Sequence, residues 1–240
     1  MSGRRHAARP AARHGHGRLV VVGCVAVLVV AVMGAVAWTS GGGDHGHATR
    51  SRGAEDSPMS SVLGNERDAV PAACDTLSSG IAAKLAPDAD RSATVATQSD
   101  QHSECAWSLY GANRSRQLNV ELRAIAASDG GSATDTAVRT FNDEWRSDRA
   151  GKDLADSAKV RDSRGVSGVG EQAYVVYTVD SSDSIGEAVA NARLANVLIT
   201  VHYSGGDDLQ GKAKPLPSGA AIDGALRAAR DIASKLESHS

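Results

Sequence analysis

Residues 187–203, EAVANARLANVLITVHY, decide the fold. From Glu187 to Leu194 and again from Val197 to Tyr203, β-branched or small apolar side chains recur with the period of two that buries one side of a strand. Asn196 falls between the two runs, where a turn residue belongs, so the stretch predicts a pair of antiparallel strands. Upstream, Ala173 to Val179 reads as a third strand. Further back, Cys105, Trp107 and Leu109 alternate with Ala106, Ser108 and Tyr110, and Leu118, Val120 and Leu122 with Asn119, Glu121 and Arg123. These make two more half-buried strands around Gly111-Ala112-Asn113.

Helical periods lie between and around the strands. Leu77, Ile81 and Leu85 recur every four residues and predict a helix from Cys74 to about Ala86, stopped by Pro87. After the break at Gly130-Gly131, Ser132-Ala133-Thr134-Asp135 has the form of a capping box. Val138, Phe141 and Trp145 then follow at helical spacing toward an end near Gly151. Ile222, Leu226, Ala229, Ala233 and Leu236 form the inward stripe of a last helix capped by Ser218, with Arg227, Arg230 and Lys235 on its solvated side. The expected class is α+β: an antiparallel sheet with helices covering one face. Trp107, Phe141 and Trp145 read as core positions.

The N-terminal part has another character. Residues 19–38 contain no charge, and the arm at 1–18 carries Arg4, Arg5, Arg9, Arg13 and Arg18 without an acid. About 20 apolar residues span the roughly 30 Å hydrocarbon core as a helix, and a cationic flank stays in the cytoplasm. The expectation is a single-pass transmembrane helix at 19–38 with everything after it extracytoplasmic. The alternative is a signal peptide cut after Ala35-Val36-Ala37. Against it stand an apolar run longer than the 7 to 15 residues of a usual signal core and a long basic arm. Val21-Val22-Gly23-Cys24 resembles a lipoprotein box, but the apolar run continues well past Cys24. Residues 39–70 are Gly, Ser, Asp, Arg and His with few apolar side chains, the composition of a flexible extracellular linker. The extracellular α+β domain is then 71–240.

Charge and cysteine usage narrow the function. The chain has 26 Lys plus Arg and 28 acids; setting aside the five arginines of the arm leaves 21 against 28, a formal charge of minus 7 outside the membrane. An acidic domain is a poor binder of nucleic acid, whose phosphates need clustered Lys and Arg, so no nucleic-acid partner is expected. Cys24 falls in the apolar run. Cys74 and Cys105 are therefore the only thiols of the exported part, and in an oxidising compartment such a pair reads as a disulfide.

Chemical motifs are few. Gly168-Val169-Gly170-Glu171-Gln172-Ala173 fits a loose dinucleotide pattern, but a strand follows it where the motif needs a helix, so the glycines read as a tight turn. Gly165-Val166-Ser167-Gly168 misses the nucleophile-elbow spacing, and neither Ser-x-x-Lys nor His-Glu-x-x-His occurs. His14, His16, His45 and His47 lie in segments without a preformed metal site. Asn113-Arg114-Ser115 is a glycosylation sequon on an expected loop. His102 and His202 are the only histidines between the linker and the terminal tail. His202 follows Thr200 in an alternating strand without a motif-matched nucleophile or metal partner, and reads as structural. No catalytic residue, cofactor or metal is assigned.

Cys74-Asp75-x-Leu77 at a helix start, Cys105-Ala-Trp107, Gly168-Val-Gly170-Glu-Gln-Ala173 before a strand, and Arg193-Leu-Ala-Asn196 before Val197 together resemble an actinobacterial exported family of unknown function. Many of its members are cell-envelope lipoproteins. Similar domains form the extracellular sensor part of some bacterial serine/threonine kinases. The resemblance covers about 73–236 and implies a Cys74–Cys105 disulfide in an α+β domain at the cell surface, with no catalytic residues. This chain differs from the lipoproteins in its expected spanning helix and from the kinases in having no kinase domain. The expected function is a membrane-anchored, noncatalytic sensing or binding module of the cell envelope whose ligand or protein partner is unknown. The alternative is an envelope hydrolase built around His202 and nearby acids.

Overall fold

A computed structural model describes residues 65–93, 99–128, 130–209 and 211–238. The expected span at 19–38 lies outside them. Among the described residues no helix is long and apolar enough to cross a membrane. The elements in order are α1 (Ala73–Thr76), α2 (Ser79–Leu85), β1 (Asp90–Ala93), β2 (His102–Tyr110), β3 (Arg114–Ala124), α3 (Ala133–Ala150), β4 (Ala158–Val166), β5 (Gln172–Asp180), β6 (Ile185–Leu194), β7 (Val197–Leu209), β8 (Lys212–Pro215) and α4 (Ser218–Ser238). The strands form one antiparallel sheet in the order β1-β2-β3-β7-β6-β5-β4, with β8 also against β7.

Central β7 joins the two halves of this sheet. Val201 pairs with Val120 of β3 on one side and Ala190 of β6 on the other, so the three share one face with Leu118, Leu122, Val175, Val197 and Ile199. All of these are fully buried or within 1 % of it. α4 lies on them with the expected stripe of Ile222, Leu226, Ala229, Ala233 and Leu236 inward. The approach is close: a Cβ on Gly224 would stand 2.5 Å from the Tyr203 ring, so a side chain there would push the helix off the sheet. The Tyr203 hydroxyl donates to the Leu85 carbonyl at 2.8 Å, tying α2 to the same face. The disulfide between Cys74 and Cys105, with Cα atoms 5.0 Å apart, fastens α1 to β2.

The helices do not all cover one face, as the periodicity led us to expect. α3 packs on the other side, where Tyr174, Val176 and Leu198 form a second cluster with Ala137 and Phe141. Trp145 stacks on Tyr174 with ring centroids 5.5 Å apart. The reason lies in β5, whose Ala173-Tyr174-Val175-Val176-Tyr177 is apolar without alternation, as a strand buried on both faces must be. α3 begins and ends as expected, with reciprocal Ser132–Asp135 capping and Gly151 left-handed at φ 64°.

Other stretches also differ from the sequence expectation. The single helix at 74–86 is broken between Thr76 and Ser79, because the Ser78 N–H and hydroxyl both donate to the Asp231 carboxylate of α4 at 2.8 Å. β4 falls in a stretch where the periodicity predicts no strand; as the edge strand it buries little, so Lys159, Arg161 and Arg164 hide its strand character and guard its open edge. Residues 65–70, assigned by composition to the linker, are bonded into the domain. Asn196, itself buried, donates to the Arg67 and Ile125 carbonyls at 2.8 and 2.9 Å and accepts from the Arg67 N–H at 2.8 Å.

Candidate functional site

The face that carries α3 is apolar only where the helix rests. Along β7 the side chains on this face run Leu198, Thr200, His202 and Ser204, alternating with the buried Val197, Ile199, Val201 and Tyr203. Register places Glu121 beside Thr200 and Asn119 beside His202, with Glu104 of β2 opposite Glu121. From β6 come Glu187 and the buried Asn191. From α3 come Glu144 and Asp148. Five carboxylates therefore meet Arg123, His102 and His202 on one surface.

Two networks organise it. In the first, the Tyr174 hydroxyl donates to Asp148 at 2.7 Å, Asn191 approaches the same oxygen at 3.3 Å, and Thr200 donates to Asn191 at 2.7 Å. In the second, Arg123 pairs with Glu144 at 2.7 Å and reaches Glu121 at 3.4 Å, while His102 Nε2 lies 2.8 Å from Glu121 Oε1. Between them, His202 Nδ1 meets Glu187 Oε1 at 3.0 Å, and Asn119 donates to Glu104.

The electrostatics follow from this packing. Desolvation opposes the His202 imidazolium, but the hydrogen bond and charge of Glu187, with Glu121 and Asp148 behind, outweigh it and hold His202 above the ordinary histidine value. Glu187 is held below the usual carboxylate range, since its contacts with His202 exceed its own desolvation. Burial pushes Glu144 and Asp148 up, against the pull of Arg123 and the Tyr174 hydroxyl respectively. Desolvation and the neighbouring Asp148 charge push the Tyr174 hydroxyl up.

The surface is rich in acceptors. Asn119 Oδ1 and the Trp145 indole N–H are buried without a hydrogen-bond partner among the described residues. His102 Nε2 and Arg123 Nε also fall short of hydrogen-bond geometry, yet Glu121 stands close enough to each for an ion pair, and we assign them that partner. No hydroxyl or thiol is hydrogen-bonded to His202 among the described residues. Thr200, its neighbour on this face, is committed to Asn191. Nor do the described residues hold a group of three His, Cys, Asp or Glu side chains placed for a metal ion.

Cys74 and Cys105 are joined behind this face, on the α4 side of the sheet. Ser167 is exposed in the turn before β5, with Gly168 and Gly170 left-handed at φ 73° and 54°. A Cβ on Gly170 would meet the Arg193 carbonyl at 2.6 Å, so that glycine serves the close packing of the turn on β6. Asn113 is exposed at the β2–β3 turn. Sequence reasoning passed over Glu187, Glu121 and Glu104 as ordinary polar strand positions. The available signal was that they and His202 all fall on the outward parity of their strands. A separate cleft of about 390 Å³, mostly apolar, lies between Val70, Pro71, Thr76 and Leu236 with Arg67 and Lys235 at its rim. No protein-family model, curated protein or solved structure matches this chain.

Proposed function

We propose that this chain is a noncatalytic binding or sensing module of the cell envelope, held at the outer side of the membrane by a single N-terminal helix and a linker. Its ligand binds on the open part of the α3-bearing sheet face. The supporting observation is the acceptor excess: Glu104, Glu121, Glu187, Asp148 and Glu144 against Arg123 and two histidines, on a sheet face that α3 only partly covers. Such a surface fits a ligand rich in cationic hydrogen-bond donors, such as an amine-bearing envelope component or a basic peptide segment. The resemblance to actinobacterial exported domains belongs to the same proposal.

Two measurements test it. Protease added to intact cells is expected to release the domain through the linker; a domain protected outside-in while the N-terminal arm is digested would overturn the topology. Spermidine, as a cationic probe, is expected to bind the full chain at low salt and to bind a Glu121→Gln/Glu187→Gln variant at least fivefold more weakly. Equal binding by both would remove this face from the account. The His202–Glu187 contact gives the hydrolase alternative its one point of support, since an oriented histidine is the usual general base. With no nucleophile bonded to that histidine among the described residues, the binding reading is the stronger.

A further inference from the structure

The His202–Glu187 pair stands in the middle of the acceptor-rich face. The two side chains keep 42 % and 34 % of their surface exposed, so both protons and ligands reach them. The nearest groups around His202 are negative or neutral, while His102 of β2 stands beyond Glu121. Glu187 comes from β6 at 3.0 Å, and Val189 is its β6 neighbour in register. β3 presents Asn119 opposite it and Glu121 one position away along the face, while α3 contributes Asp148. Arg123 lies beyond Glu121, already shared between Glu121 and Glu144. When His202 is protonated, it is therefore the cation that Glu187 binds within the protein.

We propose that the His202–Glu187 pair gates the ligand face by pH: the imidazolium occupies Glu187 under mildly acidic conditions, and its deprotonation frees that carboxylate for a cationic ligand. This rests on the binding reading above and adds its regulation. A ligand cation and the histidine proton compete for one carboxylate, so each must weaken the other. By linkage, a tenfold gain in affinity on deprotonation requires saturating ligand to lower the His202 midpoint by about one pH unit. Glu187, held below the usual carboxylate range, remains ionised through this window and does not confuse the readout.

The test uses the full chain in detergent micelles, spermidine as probe and the His202 ring proton followed by NMR. Wild type is expected to bind spermidine five- to tenfold more tightly at pH 8.5 than at pH 5.5, with the step centred on the His202 midpoint. His202→Gln is expected to hold the tighter level at both pH values, and Glu187→Gln to lower the His202 midpoint. A pH step that survives in His202→Gln, or a His202 midpoint unmoved by Glu187→Gln, overturns the gate while leaving the binding face standing. Spermidine binding at neither pH overturns the face as a cation site and the gate with it.

Discussion

The two faces of one sheet carry different tasks, and β7 shows the division residue by residue. Val197, Ile199, Val201 and Tyr203 point into a layer closed by α4, α1 and α2, with a glycine that lets the helix approach to contact distance. Leu198, Thr200, His202 and Ser204 point the other way, where α3 seals only the Tyr174–Phe141–Trp145 patch and leaves charged side chains half-exposed beside it. Burial of large aliphatic side chains is worth about 1.5 to 3 kcal/mol each, whereas half-exposed ion pairs are worth about 0 to 1 kcal/mol. The first face therefore holds the domain together. Outside its sealed patch, the second contributes little to stability and is free to carry recognition.

The largest effect should come from the staple on the stabilising face. Replacing Cys74 and Cys105 together by serine is expected to cost about 3 to 4 kcal/mol, the chain-entropy value for a loop of their separation of 31 residues. Urea unfolding with and without reductant measures it, and a loss below about 1 kcal/mol would show that the α4 layer needs no covalent help. Next comes the aliphatic layer itself. Ile199→Ala should cost about 3 kcal/mol, while His202→Ala, three residues along the strand and facing the other way, should cost less than about 1 kcal/mol. Equal losses would erase the contrast between the faces.

On the second face the sealed patch should stand apart from the open part. Tyr174→Phe removes the donor to Asp148 and is expected to cost about 1.5 kcal/mol in thermal or urea unfolding. If it is neutral, the α3 patch belongs energetically with the open surface. The smallest effect is pH dependence from His202. Its midpoint is raised by folding, so its contribution is fully present below the unfolded value and is lost as pH rises through the folded midpoint. At its exposure this amounts to a few tenths of a kcal/mol, visible as a step in stability on the alkaline side of the ordinary histidine range and absent from His202→Gln.

The stabilising face was legible because burial writes itself as periodicity. The alternation of β2, β3, β6 and β7, the stripe of α4 and the solitary cysteine pair all lead to it directly. The opposite face was harder, because a strand buried on both sides loses its alternation and gives no hint of which helix covers which side; β5 concealed α3's position in this way. β4 was hidden by its edge charges, and the break at residues 77–78 depends on Asp231, more than 150 residues away in the chain. The candidate site was the least legible part. Glu104, Glu121, Glu187 and His202 become neighbours only through the β2-β3-β7-β6 register, and no local spacing records that order.

Mapping where a cation lands on the folded surface tests the central claim most directly. With the full chain titrated by spermidine at pH 8.5 and low salt, NMR shift changes are predicted at Glu104, Asn119, Glu121, Glu187 and His202, with the α4 layer unmoved. Changes centred instead on the cleft between Arg67 and Leu236, or none at saturating probe, would contradict the assignment of function to the α3-bearing face.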